Sequence, residues 1–220
     1  MHLTRRLSAE FVGSLLLAGV VIGSGILADG LSAGNDGVAL LGNTLATGAI
    51  LFVLITTLGP VSGAHFNPAV TLVMVLRRDL PVRDAGSYIV MQVAGCVLGA
   101  WLAHGMFELP ILQLATTDRS GPAKMLAEGV ATFTLLFAIL GAVRWRPDAT
   151  ATTVALAITA GYWWTASTSF ANPAITVARA MTDTFSGVRL SDAPGFIAAQ
   201  LVGAVLALAV SSFLFRELKE

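Results

Sequence analysis

Six long stretches of the chain are apolar and almost free of charged residues, and short polar segments connect them. A membrane-spanning helix needs about 20 apolar residues, because the hydrocarbon core is about 30 Å thick. The pattern therefore predicts an all-α membrane protein with six transmembrane helices. No connection is long enough to separate domains, so we expect a single transmembrane domain over residues 1–220. The six stretches are residues 11–28, 38–60, 85–106, 129–143, 150–167 and 194–215.

The composition excludes a soluble enzyme and a nucleic-acid-binding protein. Only 12% of the residues are charged and 55% are hydrophobic, with a mean hydropathy of +0.79, whereas about 25% of the residues in a soluble chain are charged. The net charge of +0 leaves no basic excess for binding nucleic acid. The sequence also contains no His/Cys/Asp cluster and no nucleophile beside a base. We therefore expect membrane lipid as the surroundings, and no enzymatic activity, cofactor or metal site.

The distribution of basic residues predicts the orientation. If both termini are cytoplasmic, nine of the thirteen Lys and Arg residues lie inside, as the positive-inside rule requires. We therefore expect a protein of the cell's inner membrane with both termini in the cytoplasm. The nine residues are Arg5, Arg6, Arg77, Arg78, Arg83, Arg144, Arg146, Arg216 and Lys219.

Three short motifs occur twice, in the same order, in the two halves of the chain. They are Ala-Glu at 9–10 and 127–128, Asn-Pro-Ala at 67–69 and 172–174, and Gln at 92 and 200. Each half contains three predicted spans. Because three is an odd number, the halves must have opposite orientations in the membrane. The sequence therefore predicts an inverted repeat, with halves of about 1–115 and 116–220.

The duplicated Asn-Pro-Ala motif predicts a helix start inside the membrane. Asn is a good helix N-cap and Pro is favoured at the first helical position. The helix from Asn67 to Leu76 would be about 15 Å long, half of the hydrocarbon core. The irregular stretches before the motifs, residues 59–66 and 165–171, are tolerated at that depth only inside protein or along water. A water-lined path through the membrane follows. The motif residues are Asn67, Pro68, Ala69, Asn172, Pro173 and Ala174.

The segment Ser-Gly-Ala-His-Phe-Asn-Pro-Ala-Val-Thr at 62–71, together with the second Asn-Pro-Ala, resembles the major intrinsic proteins, the aquaporins and glycerol facilitators. The resemblance covers nearly the whole chain. It implies the aquaporin fold, in which six spans surround two re-entrant half-helices that meet at the membrane centre. It also implies a homotetramer with one pore in each protomer. The implied function is passive conduction of water and small neutral solutes.

Several pore residues follow from the motif and from the resemblance. Two helix N-termini at the membrane centre would repel cations and protons. Asn67 and Asn172 would cap these helices through their side-chain oxygens, which leaves the amide NH₂ groups free to donate to a solute. Glu10 and Glu128 could relay protons, but the resemblance favours a role in bracing the re-entrant loops. The resemblance places the acceptor carbonyls at Gly63, Ala64, His65, Ser169, Phe170 and Ala171.

The outer selectivity filter departs from the family pattern. Most members have Arg directly after the second Asn-Pro-Ala, where this chain has Ile175. Arg179 lies one helical turn further on, and could line the outer vestibule, fold back towards the filter or pair with Asp183. The other filter positions fall at Thr47, near Ala160 and at Ser169. Because none of these residues is aromatic, the sequence predicts a wide filter.

The wide filter and residues 167–171 suggest a range of cargo. The run Ser-Thr-Ser-Phe-Ala at these positions also resembles a bacterial branch associated with metalloid handling. Water, glycerol-like polyols and neutral metalloid acids such as arsenite are therefore candidate solutes. A secondary transporter is the alternative, since inverted repeats and broken helices occur there as well.

Overall fold

The computed structural model describes residues 1–216, and they form an all-helical protein without a β-strand. The fold class predicted from the sequence is thereby confirmed. A short 3₁₀ turn, Pro147–Ala149, is the other regular element of this part of the chain. The α-helices are α1 Leu3–Leu31, α2 Asp36–Ser62, α3 Pro68–Leu76, α4 Val82–Met106, α5 Pro122–Trp145, α6 Thr150–Trp164, α7 Pro173–Arg179 and α8 Ala193–Leu214.

Five helices, α1, α2, α4, α5 and α8, are long and apolar enough to cross a membrane. The sixth predicted span, residues 150–167, is helical only as far as Trp164. With 15 residues, α6 is about 22 Å long, and the 3₁₀ turn extends it at its start. The short helices α3 and α7 begin at the two Asn-Pro-Ala motifs, as the sequence predicts. The protein is therefore an integral membrane protein with two re-entrant segments.

The two halves pack in the same way. Helix α1 packs against α4 and α2, and α5 packs against α8 and α6 in the corresponding arrangement. Helices α2 and α6 meet across the halves. Gly95 and Gly99 of α4 lie against the backbone of α1, and Gly203 of α8 lies against the backbone of α5, so closely that a Cβ atom would collide at each. Close approach of backbones between small residues is a common way of packing membrane helices.

One predicted boundary is wrong. The irregular stretch before the first motif was expected to begin at Gly59, but α2 continues through Pro60 to Ser62 and ends with Gly63 at φ 91°. The residue before a proline normally avoids the helical region, because the proline ring clashes with its Cβ atom. Gly59 has no Cβ, and its carbonyl still accepts the Gly63 N–H at 2.9 Å. The re-entrant loop therefore starts four residues later than predicted.

Candidate functional site

A cavity of about 330 Å³ runs between the helices and is lined by both re-entrant loops. Arg6 and Asp79 lie at the end where α1 begins and α3 ends. Asn67 and Asn172 lie along its middle, and Arg179 lies at the other end. A continuous path thus follows the two motifs that the sequence singles out.

Both asparagines cap the helices that they begin. The Asn67 Oδ1 atom accepts the Ala69 N–H at 2.9 Å. The Asn172 Oδ1 atom accepts the Ala174 N–H at 2.9 Å and the Ile175 N–H at 3.3 Å. Proline occupies the first position of each helix, where its missing N–H costs no hydrogen bond. Two positive helix ends therefore lie beside the cavity.

The amide groups of the two asparagines also tie the halves together. Asn67 Nδ2 donates to the Ala171 carbonyl at 2.7 Å, and Asn172 Nδ2 donates to the Phe66 carbonyl at 2.8 Å. The sequence-based expectation that each whole NH₂ group is free is therefore wrong. Each nitrogen has two N–H donors, so one remains for a solute.

The two re-entrant loops share one backbone conformation. Left-handed φ angles occur at Gly63, Ala64 and Phe66, and 105 residues later at Thr168, Ser169 and Ala171. L-residues adopt such angles rarely, and mostly where the surrounding structure requires them. Their recurrence at the same spacing as the motifs means that both loops expose their carbonyls in the same pattern.

Three carbonyls in each loop remain unused. Within residues 1–216, no protein donor reaches the carbonyls at 63–65 or at 168–170. The Ala171 carbonyl accepts the Asn67 amide, but a carbonyl oxygen has two lone pairs and can accept a second donor. The Thr168 carbonyl also lacks a protein donor, but Thr168 does not line the cavity, whereas Ala171 does.

Glu10 and Glu128 are fully buried and hold the loops. Glu10 accepts the backbone N–H groups of His65 at 3.0 Å and Phe66 at 2.8 Å, and the Ser62 hydroxyl at 2.7 Å. Neither glutamate lines the cavity. This geometry matches the bracing expected from the resemblance rather than a proton relay.

The second brace repeats the first. Glu128 accepts the N–H groups of Phe170 and Ala171, both at 2.9 Å. Gln200 donates to Glu128 at 2.6 Å and to the Thr176 hydroxyl at 2.8 Å. In the first half, Gln92 bonds Glu10 and Thr71 in the same manner, at 2.8 and 2.9 Å.

The structure changes the predicted outer filter at α6. Ala160 is exposed and does not line the cavity, so its expected place there is wrong. Ile158 and Tyr162 line the cavity instead. At 100° per residue, position 160 is about 200° from each of them and therefore faces away. The Tyr162 hydroxyl is 3.2 Å from the Thr47 hydroxyl, and Thr47 lies in the cavity wall as predicted.

Arg179 folds inwards. It is 2% exposed, lines the cavity, and donates from Nε to the Ser186 carbonyl. Its guanidinium carbon lies 3.4 Å from the centre of the Phe170 ring. Pairing with Asp183 does not occur, since Asp183 accepts the Thr116 N–H at 2.9 Å. Hydrogen bonds from the Thr116 N–H and hydroxyl lower the pKa of Asp183.

The lining of the α7 end of the cavity includes aromatic residues. Ser169 and Ile175 line the cavity, and so do Tyr162 and Phe170. The sequence indicated Phe170 only for its carbonyl and did not indicate Tyr162. The predicted filter positions are therefore not the whole lining of this end, and the width of the filter stays a prediction.

Comparisons with known proteins agree with this architecture. The family model described as "Major intrinsic protein" matches residues 1–142 and 115–220. The aquaglyceroporin AqpS of Rhizobium meliloti (strain 1021) is 55% identical over 214 residues, which are 97% of this chain and 91% of that protein. A probable aquaporin PIP2-8 of Oryza sativa subsp. japonica is 35% identical over 64% of this chain and 52% of its own length.

A solved structure has the same fold. The aquaglyceroporin from Plasmodium falciparum superposes with a TM-score of 0.76 at 20% identity, over 98% of this chain and 96% of the other. At that identity the likeness shows the fold alone. Because the family model covers the chain from end to end and a relative 55% identical covers 97% of it, this chain belongs to the major intrinsic protein family.

Proposed function

We propose that this chain is a passive channel for water and small uncharged solutes such as glycerol, and that it excludes protons and ions. The proposal rests on the arrangement of groups in the middle of the cavity. Two helix N-termini, capped by Asn67 and Asn172, lie beside it, and each amide keeps one free N–H. The positive helix ends repel cations, and oriented donors interrupt a proton-conducting chain of waters.

The wall of the cavity suits solutes that have a polar and an apolar side. Free carbonyls of the re-entrant loops and the asparagine amides form a polar stripe. The remaining wall is largely aliphatic, and includes Leu17, Leu51, Ile139, Val154 and Ile158. Polyols can place hydroxyls on the stripe and carbon atoms against the aliphatic wall. Glycerol is the first solute to test, and neutral arsenous acid belongs to the same size class.

A secondary transporter is the rival, and the placement of the acids argues against it. A coupled carrier generally needs carboxylates or other ion-binding groups at the site. Glu10 and Glu128 lie outside the cavity lining and are occupied by backbone and side-chain donors. Among residues 1–216, Asp79 is the acid in the cavity wall, and it lies at the mouth.

Stopped-flow light scattering on proteoliposomes tests the proposal. Water and glycerol permeabilities should rise well above those of empty vesicles, with a low activation energy and without saturation. Membrane potential and a Na⁺ gradient should leave glycerol flux unchanged. Saturating flux, or flux driven by an ion gradient, would favour the carrier, and permeabilities equal to those of empty vesicles would contradict the channel.

We further propose a homotetramer of single-domain protomers, residues 1–220, in the cell's inner membrane with both termini cytoplasmic. The halves of about 1–115 and 116–220 would each contribute one re-entrant loop. Cysteines introduced at Asp118 and at Lys219, which lies outside the described residues, should label from opposite faces of intact cells. Labelling of both from outside would contradict the orientation, and a monomeric mass in mild detergent would contradict the tetramer.

A further inference from the structure

Two arginines contact the Phe170 ring beside the α7 end of the cavity, and of the two only Arg179 lines the cavity. Arg179 ends helix α7, and Arg119 comes from the connection between α4 and α5. Within residues 1–216, neither forms a salt bridge. Buried guanidinium groups normally have a charged partner or complete hydrogen bonding. Two arginines at one ring without a carboxylate partner are therefore unusual.

Three consecutive backbone carbonyls hold the two side chains. Arg119 donates from Nε to the Gly187 carbonyl at 2.8 Å and from Nη2 to the Phe185 carbonyl at 3.4 Å. The carbonyl between them, of Ser186, accepts Nε of Arg179. One segment of loop backbone therefore binds both arginines, and the carbonyl that accepts from Arg179 lies between the two that accept from Arg119.

The Phe170 ring connects the same two groups. Its centre is 3.4 Å from the Arg179 guanidinium carbon and 5.3 Å from that of Arg119. Phe196 packs edge-on against Phe170 at 5.1 Å, which fixes the ring in place. Contact between a cation and an aromatic face is favourable, and here it offsets part of the repulsion between the two positive charges.

Arg179 has hydrogen-bonding capacity left over. Of its three nitrogens, only Nε has a protein acceptor within the described residues, and Nη1 is buried without any. Because Arg179 lines the cavity, its spare N–H groups can donate to an oxygen in the channel. Glu128 is the carboxylate that acts on both arginines, and it is occupied by the loop backbone. Asp192 also contacts Arg119, but its carboxylate accepts the Arg119 backbone N–H at 3.0 Å and not the guanidinium.

We propose that Arg119 is a positioning residue that holds Arg179 over the outer constriction, and that the pair supplies the cationic filter absent at Ile175. The inference rests on the proposed channel function and identifies the solute class of its outer filter. Arg119 fixes the Phe185–Gly187 carbonyls and Phe170, and so turns the spare donors of Arg179 towards the path. Neutral solutes with acceptor oxygens pass by bonding to these donors, and cations are repelled by the Arg179 charge that Arg119 holds in place.

Sodium leak through proteoliposomes, measured beside water permeability, tests the pair. Arg119→Gln should raise Na⁺ permeability about tenfold while water is still conducted well above empty vesicles. Arg119→Lys keeps the positive charge and can still donate to a backbone carbonyl, so its Na⁺ leak should stay within about twofold of that of the parent. Lys124→Gln, which removes another outer cation away from the cavity lining, is the matched control and should not change the leak.

The Na⁺ leak of the double variant distinguishes a positioning role of Arg119 from a general structural role. Arg179→Gln should leak as Arg119→Gln does, and the double variant should leak no more than about twofold beyond Arg179→Gln, because Arg119 acts through Arg179. Phe170→Leu, which keeps both charges but removes the ring, should raise the leak several-fold. It also serves as the test if Arg119→Gln fails to assemble.

Other results would overturn the inference. One such result is a Na⁺ leak in Arg119→Gln or Phe170→Leu equal to that of the parent. Another is a Na⁺ leak in Arg119→Lys as large as that in Arg119→Gln. The third is a double variant in which the effects of the two single variants on the Na⁺ leak add. Failure of the proposed function is distinguishable, because the parent itself would then conduct neither water nor glycerol above empty vesicles.

Discussion

The two re-entrant loops of this protein share a framework but differ in the side chains that they direct into the channel. Both have left-handed residues at the same positions, and both are braced by a buried Glu with a Gln partner. The cavity-lining side chains one turn apart on α3 are Val70 and Met74, and the corresponding residues on α7 are Ile175 and Arg179. Duplication thus builds the path, and residues outside the duplicated motifs make its two ends different.

The reason for this division is physical. At the membrane centre, each helix end needs a cap and a hydrogen bond to the opposite loop, and Asn67 and Asn172 meet both needs in the same way. Towards the ends, each half-helix faces a different connection. The α7 end meets the chain at 183–192 and an arginine without a carboxylate partner in the described residues, Arg119, whereas at the α3 end the cation Arg6 is paired with Asp84. We therefore expect equal effects for changes to the framework and unequal effects for changes at the ends.

Removing a brace should produce the largest effect. Glu10→Ala and Glu128→Ala each leave two buried backbone N–H groups without an acceptor. Hydrogen bonds to a charged group are worth about 1.5–3 kcal/mol each, so we expect a loss of about 3–6 kcal/mol in stability for each variant. Thermal unfolding in detergent, or the yield of folded protein, measures the loss.

The Gln variants are the matched controls for the braces. Glu10→Gln and Glu128→Gln keep one acceptor oxygen, so each should lose roughly half as much stability as its Ala variant. Because each Glu holds two backbone N–H groups of its own loop, the Glu10 variants and the Glu128 variants should lose similar amounts of stability. A large loss in one half with almost none in the other would contradict this expectation.

Changing the central asparagines should alter conduction more than stability. Asn67→Asp and Asn172→Asp keep an oxygen for the cap but replace the amide that bonds the opposite loop. A carboxylate beside two positive helix ends cancels part of the barrier to cations. We expect Na⁺ permeability to rise about tenfold, equivalent to about 1.4 kcal/mol in barrier height, and glycerol flux to fall.

Ion-flux measurements beside light scattering test this, with the thermal transition as a check on folding. Both variants should behave alike, because the two asparagines occupy equivalent places. If folded protein of either variant matches the parent in water, glycerol and ion permeability, the motif acts only as a helix cap and the proposed barrier is wrong.

A smaller effect is expected at the outer end. Ile175→Arg adds a long cationic side chain one turn inside Arg179, where it fills volume and holds waters that a larger solute must displace. Glycerol and arsenite permeabilities should each drop about threefold to tenfold more than water permeability. Ile175→Met, which is uncharged and adds little volume, should change the glycerol-to-water ratio by less than about twofold. An unchanged ratio in Ile175→Arg would mean that position 175 is not part of the constriction.

Much of the framework could be predicted from the sequence because its chemistry is local. Asn followed by Pro specifies a helix start whatever surrounds it, and the helices do begin at Pro68 and Pro173. The repeated Ala-Glu and Gln motifs also mark residues that the structure brings together, Glu10 with Gln92 and Glu128 with Gln200. Motif order was sufficient here, since each partner serves the same loop.

The outer end could not be predicted in the same way. Counting back from the second motif to Ala160 crosses the irregular residues 165–171, where the helical phase is lost, and the count therefore arrives at the wrong face of α6. Arg119 lies in a connection without periodicity, and its contact with the Gly187 carbonyl joins segments 68 residues apart. No local pattern indicates such a contact.

From the sequence, the inward position of Arg179 is only one of three alternatives. At position i+4 from Ile175 it shares a helical face with that residue, but the long side chain can point towards the vestibule, the filter or Asp183. The choice depends on the Ser186 carbonyl and the Phe170 ring, and both are placed by tertiary packing.

The central claim, that the framework is shared while selection lies at the α7 end, is tested most directly by the Na⁺ permeability of Arg179→Met in proteoliposomes. This change gives α7 the residue that α3 carries at the corresponding position, Met74. We predict Na⁺ permeability at least about tenfold above the parent, with water still conducted well above empty vesicles. Met74→Leu is the volume-matched change at the other end, and its Na⁺ and water permeabilities should both stay within about twofold of those of the parent. Equal Na⁺ permeability in Arg179→Met and the parent would contradict the claim.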